Sequence, residues 1–156
     1  MDIRNIYLYL MEMNITIGLL LATVAVSLVA FSNEELMRKL ILNPYMVHHR
    51  KQWWRMLTSG FIHADFMHLL FNMFAFFGFG MAVEAYYQAV FDNTGTLYFI
   101  VLYLGGIIAA NAPSLAKHKD NHYYNSLGAS GAVSAIIFAA ILFEPWTKIY
   151  FFGIIG

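Results

Sequence analysis

Three side chains in this 156-residue chain have types and spacing suited to acyl transfer. Ser130 lies in Gly128-Ala129-Ser130-Gly131, and His68 and Asn72 stand four residues apart. On a helix that spacing places the imidazole and the amide on one face, a turn apart. A serine at a helix start has unpaired backbone N–H groups and the positive dipole end beside it, both favouring a developing anion. A hydroxyl attacking a carbonyl there would find its oxyanion stabilised by its own N–H, with His68 and Asn72 as side-chain donors. Losing one such donor typically costs about 2.7–4 kcal/mol of transition-state stabilisation.

The elements that must position these groups follow from the solvent the chain is built for. It is 60% hydrophobic and only 12% charged, too few ionic groups for a water-facing surface. Lys plus Arg and Asp plus Glu balance at nine each, so no basic field draws nucleic acid. With no cysteine there is no disulfide, thiolate metal site or cysteine nucleophile. A helix crossing the membrane core needs about 20 mostly apolar residues. Such stretches fall at about 13–31, 66–86, 97–113 (stopped by Asn111-Ala112-Pro113) and 127–143 (stopped by Glu144-Pro145). A fifth, 148–156, breaks off early, so the chain is expected to be truncated within that span. The reading is a single all-α membrane domain over 1–156. Between the first two spans, 32–65 mixes apolar and charged residues, as short interfacial helices do. A cleaved signal peptide is disfavoured at the start, where Asp2 and Glu12 oppose Arg4 and the apolar run is long.

Spans two and four run in the same direction, so their starts face the same side of the membrane. His68, Asn72 and Ser130 therefore come to similar depth. Plainer roles stay open for each piece. Gly-x-Ser-Gly is ordinary packing in membrane helices, His and Asn in a span can be interhelical hydrogen-bond glue, and Trp54-Arg55 can be a simple interfacial anchor.

Taken together, the residues resemble the rhomboid family. The matching pieces are Trp54-Arg55 in a long first loop, His63, and His68-Leu69-Leu70-Phe71-Asn72 entering the second span. Glu84 follows in Gly80-Met81-Ala82-Val83-Glu84, and Gly128-Ala129-Ser130-Gly131 opens the fourth. The resemblance implies a six-helix core, of which about four and a half spans are present here, and Ser130 as nucleophile. His68 and Asn72 would help form the oxyanion hole, and Gly128 would shape the turn beside the serine. Trp54-Arg55 would order the first loop, Glu84 would be a structural hydrogen-bonding residue, and His63 would support the active-site neighbourhood. Substrates would be single-span membrane proteins cut in or near a helix that unwinds easily. The bilayer is the other partner, and neither metal nor cofactor is implied. The protein would be a multi-pass integral membrane protein, of the inner membrane if bacterial.

Two departures from the family's pattern stand out. Its general base is a histidine on the sixth span, in an Ala-His-x-x-Gly-type motif that this chain lacks, so the chain by itself is expected to be inactive. Some members also carry an aromatic four residues after the serine, where this chain has Ser134. Of His48, His49, His118 and His122, all in loops, His122 is nearest in sequence to Ser130, but nothing in the sequence places it within a base's reach.

Seven Lys and Arg residues (Arg38, Lys39, Arg50, Lys51, Arg55, Lys117, Lys119) fall in the first and third loops, which the positive-inside rule assigns to the cytoplasm. The family resemblance places those loops outside, and a first loop folded into the interface makes its charge a poor guide. The alternative function is a non-proteolytic, derlin- or pseudoprotease-like protein that binds membrane clients; Ser130 with His68 and Asn72 argues against it. A transporter fragment would distribute polar groups across membrane depth, and these cluster near one face. His-Glu-x-x-His and Gly-x-Gly-Asp, the marks of zinc and aspartyl intramembrane proteases, are missing.

Overall fold

The computed structural model describes residues 14–146 together with the backbone of 150–151 and 154–155. The fold is an all-α bundle. In chain order its helices are α1 (Ile15–Phe31), α2 (Glu34–Leu40), α3 (Pro44–Arg50), α4 (Arg55–Thr58), α5 (Phe66–Phe91), α6 (Gly95–His118) and α7 (Ser130–Phe143). Short 3-10 turns at Ser59–Phe61 and Asp92–Thr94 lead out of α4 and into α6. Side chains of Asn14, Asn33, Asn43 and Asp65 accept backbone N–H groups at the starts of α1, α2, α3 and α5, which fixes where each begins.

The bundle buries one stripe from each of three helices. Leu69, Met73, Phe76 and Val83 of α5 meet Phe99, Tyr103 and Ile107 of α6 and Ala132, Val133, Ile136 and Ala139 of α7. Small residues let α6 and α7 approach to backbone distance. A side chain on Gly106 would lie 2.9 Å from the Ala135 Cβ, and one on Gly131 would collide with Ala110. Large apolar side chains such as Phe71, Phe74, Val101 and Phe138 point outward, a surface that hydrocarbon suits and water does not. The helical stretch Phe66–His118, which contains α5 and α6, is long and apolar enough for a membrane crossing, and α1 and α7 are shorter apolar helices.

α1 is polar on its inner face. Thr16, Thr23 and Ser27 are buried while Leu21, Leu28 and Val29 are exposed. Each buried hydroxyl is paired: Thr16 with Glu84, Thr23 with the Leu19 carbonyl, and Ser27 with His63 and the Phe61 carbonyl. The bonds of Thr16 and Ser27 thus attach this helix to its neighbours where apolar burial in lipid would give little preference.

α6 runs through Pro113 to His118, past the stop expected at Asn111-Ala112-Pro113. Proline removes one ladder hydrogen bond, but Asn111 anchors this stretch by donating to the Met56 carbonyl and the Ser59 hydroxyl. The extension carries Leu115, which packs with Leu42, Val47 and Met56 in a small core under the first loop. α7 starts at Ser130 rather than 127 because Gly128 has φ +117°, outside any helix. Of the expected partial fifth span, 148–149, 152–153 and 156 lie outside the described residues. Tyr150–Phe151 (β1) and Ile154–Ile155 (β2) pair antiparallel instead of opening a helix. A short apolar run rich in aromatic and β-branched residues is ambiguous between helix and strand by periodicity alone.

Candidate active site

The site is built on the turn that delivers Ser130, and nearly every residue of that turn is held from outside. Ser126 exchanges both backbone hydrogen bonds with Leu42, at 3.0 Å each. The Gly128 N–H donates to the Ser59 carbonyl at 2.9 Å. The Ala129 N–H donates to His63 Nε2 at 3.3 Å. Ser130 follows as the first residue of α7, with its side chain exposed. Among the described residues no side chain caps the start of α7, unlike the starts of α1, α2, α3 and α5. Its first-turn N–H groups therefore remain available to an anion at the serine.

Gly128 is needed twice over. Its φ of +117° suits only glycine, and a Cβ there would sit 2.8 Å from His68 Cε1 and 3.0 Å from Nε2. The same proximity brings the beginnings of α5 and α7 together: the His68 imidazole lies directly against the turn two residues before Ser130.

His63 is fully buried between these pieces. Because Nε2 accepts from Ala129, its proton belongs on Nδ1, which donates to Ser27 Oγ at 3.0 Å; that hydroxyl donates to the Phe61 carbonyl at 3.1 Å. Burial, reinforced by the neighbouring His68 and partly offset by Asp65, lowers its pKa to about 4. It is a neutral acceptor that fixes the Ala129 amide. Its ring meets His68 edge to face, centroids 5.0 Å apart.

Asp65 caps α5 by accepting the His68 N–H at 2.8 Å. One turn on, Asn72 Nδ2 donates to the His68 carbonyl at 2.9 Å, so one of its two N–H donors is directed along its own helix.

Of the remaining sequence candidates, Arg55, Trp54 and Glu84 belong to other elements, and Gly131 directly follows the serine. Arg55 is buried in the first loop, donating to the carbonyls of Arg38 and Ile41 at 2.7 Å and to Gln52 Oε1 at 2.6 Å. It neutralises the carbonyl end of α2, and Thr58 adds a bond to the Leu40 carbonyl. Trp54 is half exposed beside it. Gly131 sits at the α6–α7 crossing. Glu84, near the far end of α5, is buried and accepts from Ile15 N and Thr16 N at 2.9 Å and from the Thr16 hydroxyl at 2.6 Å.

Among the described residues no histidine hydrogen-bonds to Ser130. His49 pairs with Asp120 at 2.9 Å and lies against His48. His118 stacks on Tyr124, and His122 packs on Tyr123 and Tyr45. Sequence reasoning missed Ser27, Ser59 and Asn43 as supports. Only Asn43 carried a local signal, as an Asn-Pro helix start.

The rhomboid domain family profile matches residues 50–156. The chain is 33% identical over 92 residues to YdcA of Bacillus subtilis, a rhomboid protease by assignment; the match covers 59% of this chain and 41% of that protein. It is 33% identical over 94 residues to the rhomboid protease GluP of the same organism, covering 58% of this chain and 16% of GluP. Against the chloroplastic rhomboid-like protein 11 of Arabidopsis thaliana it is 30% identical over 115 residues, covering 72% of this chain and 38% of that protein. The chain thus spans less than half the length of the curated relatives it matches. With the profile covering most of its residues, the chain belongs to the rhomboid family, whose members are integral membrane proteins.

Proposed function

We propose that the protein is an intramembrane serine endopeptidase with Ser130 as its nucleophile. The observation that carries this reading is the exposed Ser130 at an uncapped helix start, on a turn gripped by His63 and lying against His68. In the reaction, Ser130 Oγ bonds to the scissile carbonyl carbon as its proton passes to a base. The carbonyl oxygen becomes an oxyanion facing the Ser130 N–H, with His68 and Asn72 as further donors. Collapse of this intermediate breaks the C–N bond, the proton goes to the leaving amine, and water then releases the acyl group from Ser130. The base is assigned to a histidine on a sixth span, as in the family's dyad, outside these 156 residues.

Four apolar helices cross the bilayer in this reading, and the substrates are single-span proteins whose helix unwinds readily near the serine. Fluorophosphonate labelling tests the proposal. The full-length protein should label at Ser130, and Ser130→Ala should reduce cleavage to background, a loss of roughly 10⁶-fold where a nucleophile–base unit is broken. The 156-residue chain alone should label weakly; strong labelling would contradict its dependence on an external base.

A further inference from the structure

We propose that Asn43 is a positioning residue for Ser130: its amide fastens the nucleophile's approach segment, 122–126, to the first loop. This inference rests on Ser130 being the nucleophile. Asn43 is buried, 8% exposed, at the start of α3. Its two side-chain atoms have separate jobs. Oδ1 accepts the Met46 N–H at 2.9 Å and caps α3. Nδ2 reaches across to the His122 carbonyl at 3.0 Å, the Tyr124 carbonyl at 3.2 Å and Asn125 Oδ1 at 3.1 Å. These acceptors lie in the irregular stretch just before the serine turn, where no helix supplies backbone partners.

The attachment continues without a gap toward Ser130. The residue beside Asn43, Leu42, makes the paired backbone bonds to Ser126. Gly128 then hangs from Ser59, and Ala129 from His63. All of these partners lie between 42 and 63. The serine is thus registered to the first loop, and α7 only begins after the position has been set. Leu42 is fully buried in the small core with Val47, Met56 and Leu115, so the anchor does not drift. Releasing 122–126 would let the turn shift, and a displacement near 1 Å can cost about 10²-fold in rate.

The division of labour within the Asn43 amide gives a clean test in the full-length protein. Asn43→Asp keeps an oxygen for the α3 cap but cannot donate to 122–125. Asn43→Ser keeps a capping hydroxyl but is too short to reach them. Each variant, compared as folded protein, should label at Ser130 at least about ten-fold more slowly. Substrate cleavage should lose kcat with KM held, since no substrate contact has been removed. A merely structural asparagine would lower thermal stability while leaving both rates per folded molecule unchanged, and that result overturns the inference.

Should neither variant fold, amide exchange on the wild-type protein decides. The Nδ2 protons of Asn43 itself should exchange as slowly as the backbone N–H groups of α3; fast exchange there would show that its amide does not hold the segment. Wild-type protein that fails to label at Ser130 sinks the nucleophile assignment and this inference together. Normal labelling of wild type and of folded Asn43→Asp sinks this inference alone.

Discussion

Two helix starts in this bundle face opposite needs. At α1 the exposed ends of the backbone are closed by a carboxylate from another helix: Glu84 accepts the N–H groups of Ile15 and Thr16 and the Thr16 hydroxyl, while Asn14 adds its own cap. At α7 no side chain among the described residues closes the end, although the turn before it is fixed at Ser126, Gly128 and Ala129. The same dipole and orphan donors exist at both ends. One is already occupied by an anion, so it contributes to stability. The other has a fixed approach but no capping side chain among the described residues, so under the proposed function it would serve an anion that forms only during the reaction. A buried carboxylate and the proposed oxyanion would, in this sense, be two occupants of one kind of site.

His68→Ala gives the sharpest division between them. Removing a donor from the α7 end should cost about 2.7–4 kcal/mol in the transition state, or 10²–10³ in kcat, in the full-length protein. Steady-state kinetics on folded enzyme would show this. If only thermal stability fell, the imidazole would be packing against Gly128 and the two ends would be alike in purpose.

A second test uses pH. His63 has a pKa near 4 in the fold against an ordinary 6.5. Above pH 6.5 it is neutral in both folded and unfolded chains and adds no pH dependence. Between about 6.5 and 4 the unfolded chain takes up a proton that the folded site refuses, so stability falls with falling pH, by on the order of 3 kcal/mol over the window. Below about 4 the folded site protonates too, and Nε2 becomes a donor that can no longer receive the Ala129 N–H. Thermal unfolding of wild type and His63→Gln across this range should differ in slope, with the variant flatter. Parallel curves would mean that His63 is not held neutral.

The sequence made the proposed catalytic end legible where polar side chains are rare in apolar surroundings. Ser130, His68 and Asn72 stand out because polar groups in a span need a reason, and counting crossings brings the starts of the second and fourth spans to one side. Its supports were harder to see. Asn43, Ser59 and Ser27 are ordinary residue types, and their partners lie up to 82 residues away, so only folding reveals them. The length of α6 was hidden for a different reason. Proline marks a helix stop by local propensity, but Asn111 and the Leu115 core supply tertiary support that overrides it. Gly128 shows the converse: an apolar window reads through it as helix, while its positive φ delays α7 to the serine itself.

The smallest expected effect belongs to the occupied end. Glu84→Gln keeps the shape and one acceptor oxygen but replaces the charge, leaving Ile15, Thr16 and the Thr16 hydroxyl to share a neutral partner. Charge-assisted bonds are roughly twice as strong as neutral ones, and a charge at a helix end adds a few tenths to about 1 kcal/mol. The expected loss is about 1–2 kcal/mol of stability, read as a lower unfolding temperature. Labelling of Ser130 in the folded protein should stay at the wild-type rate, because no described hydrogen bond links Glu84 to the serine turn. A selective fall in labelling with stability intact would join the two ends into one mechanical unit, and the distinction between a capped and an uncapped helix start would fail.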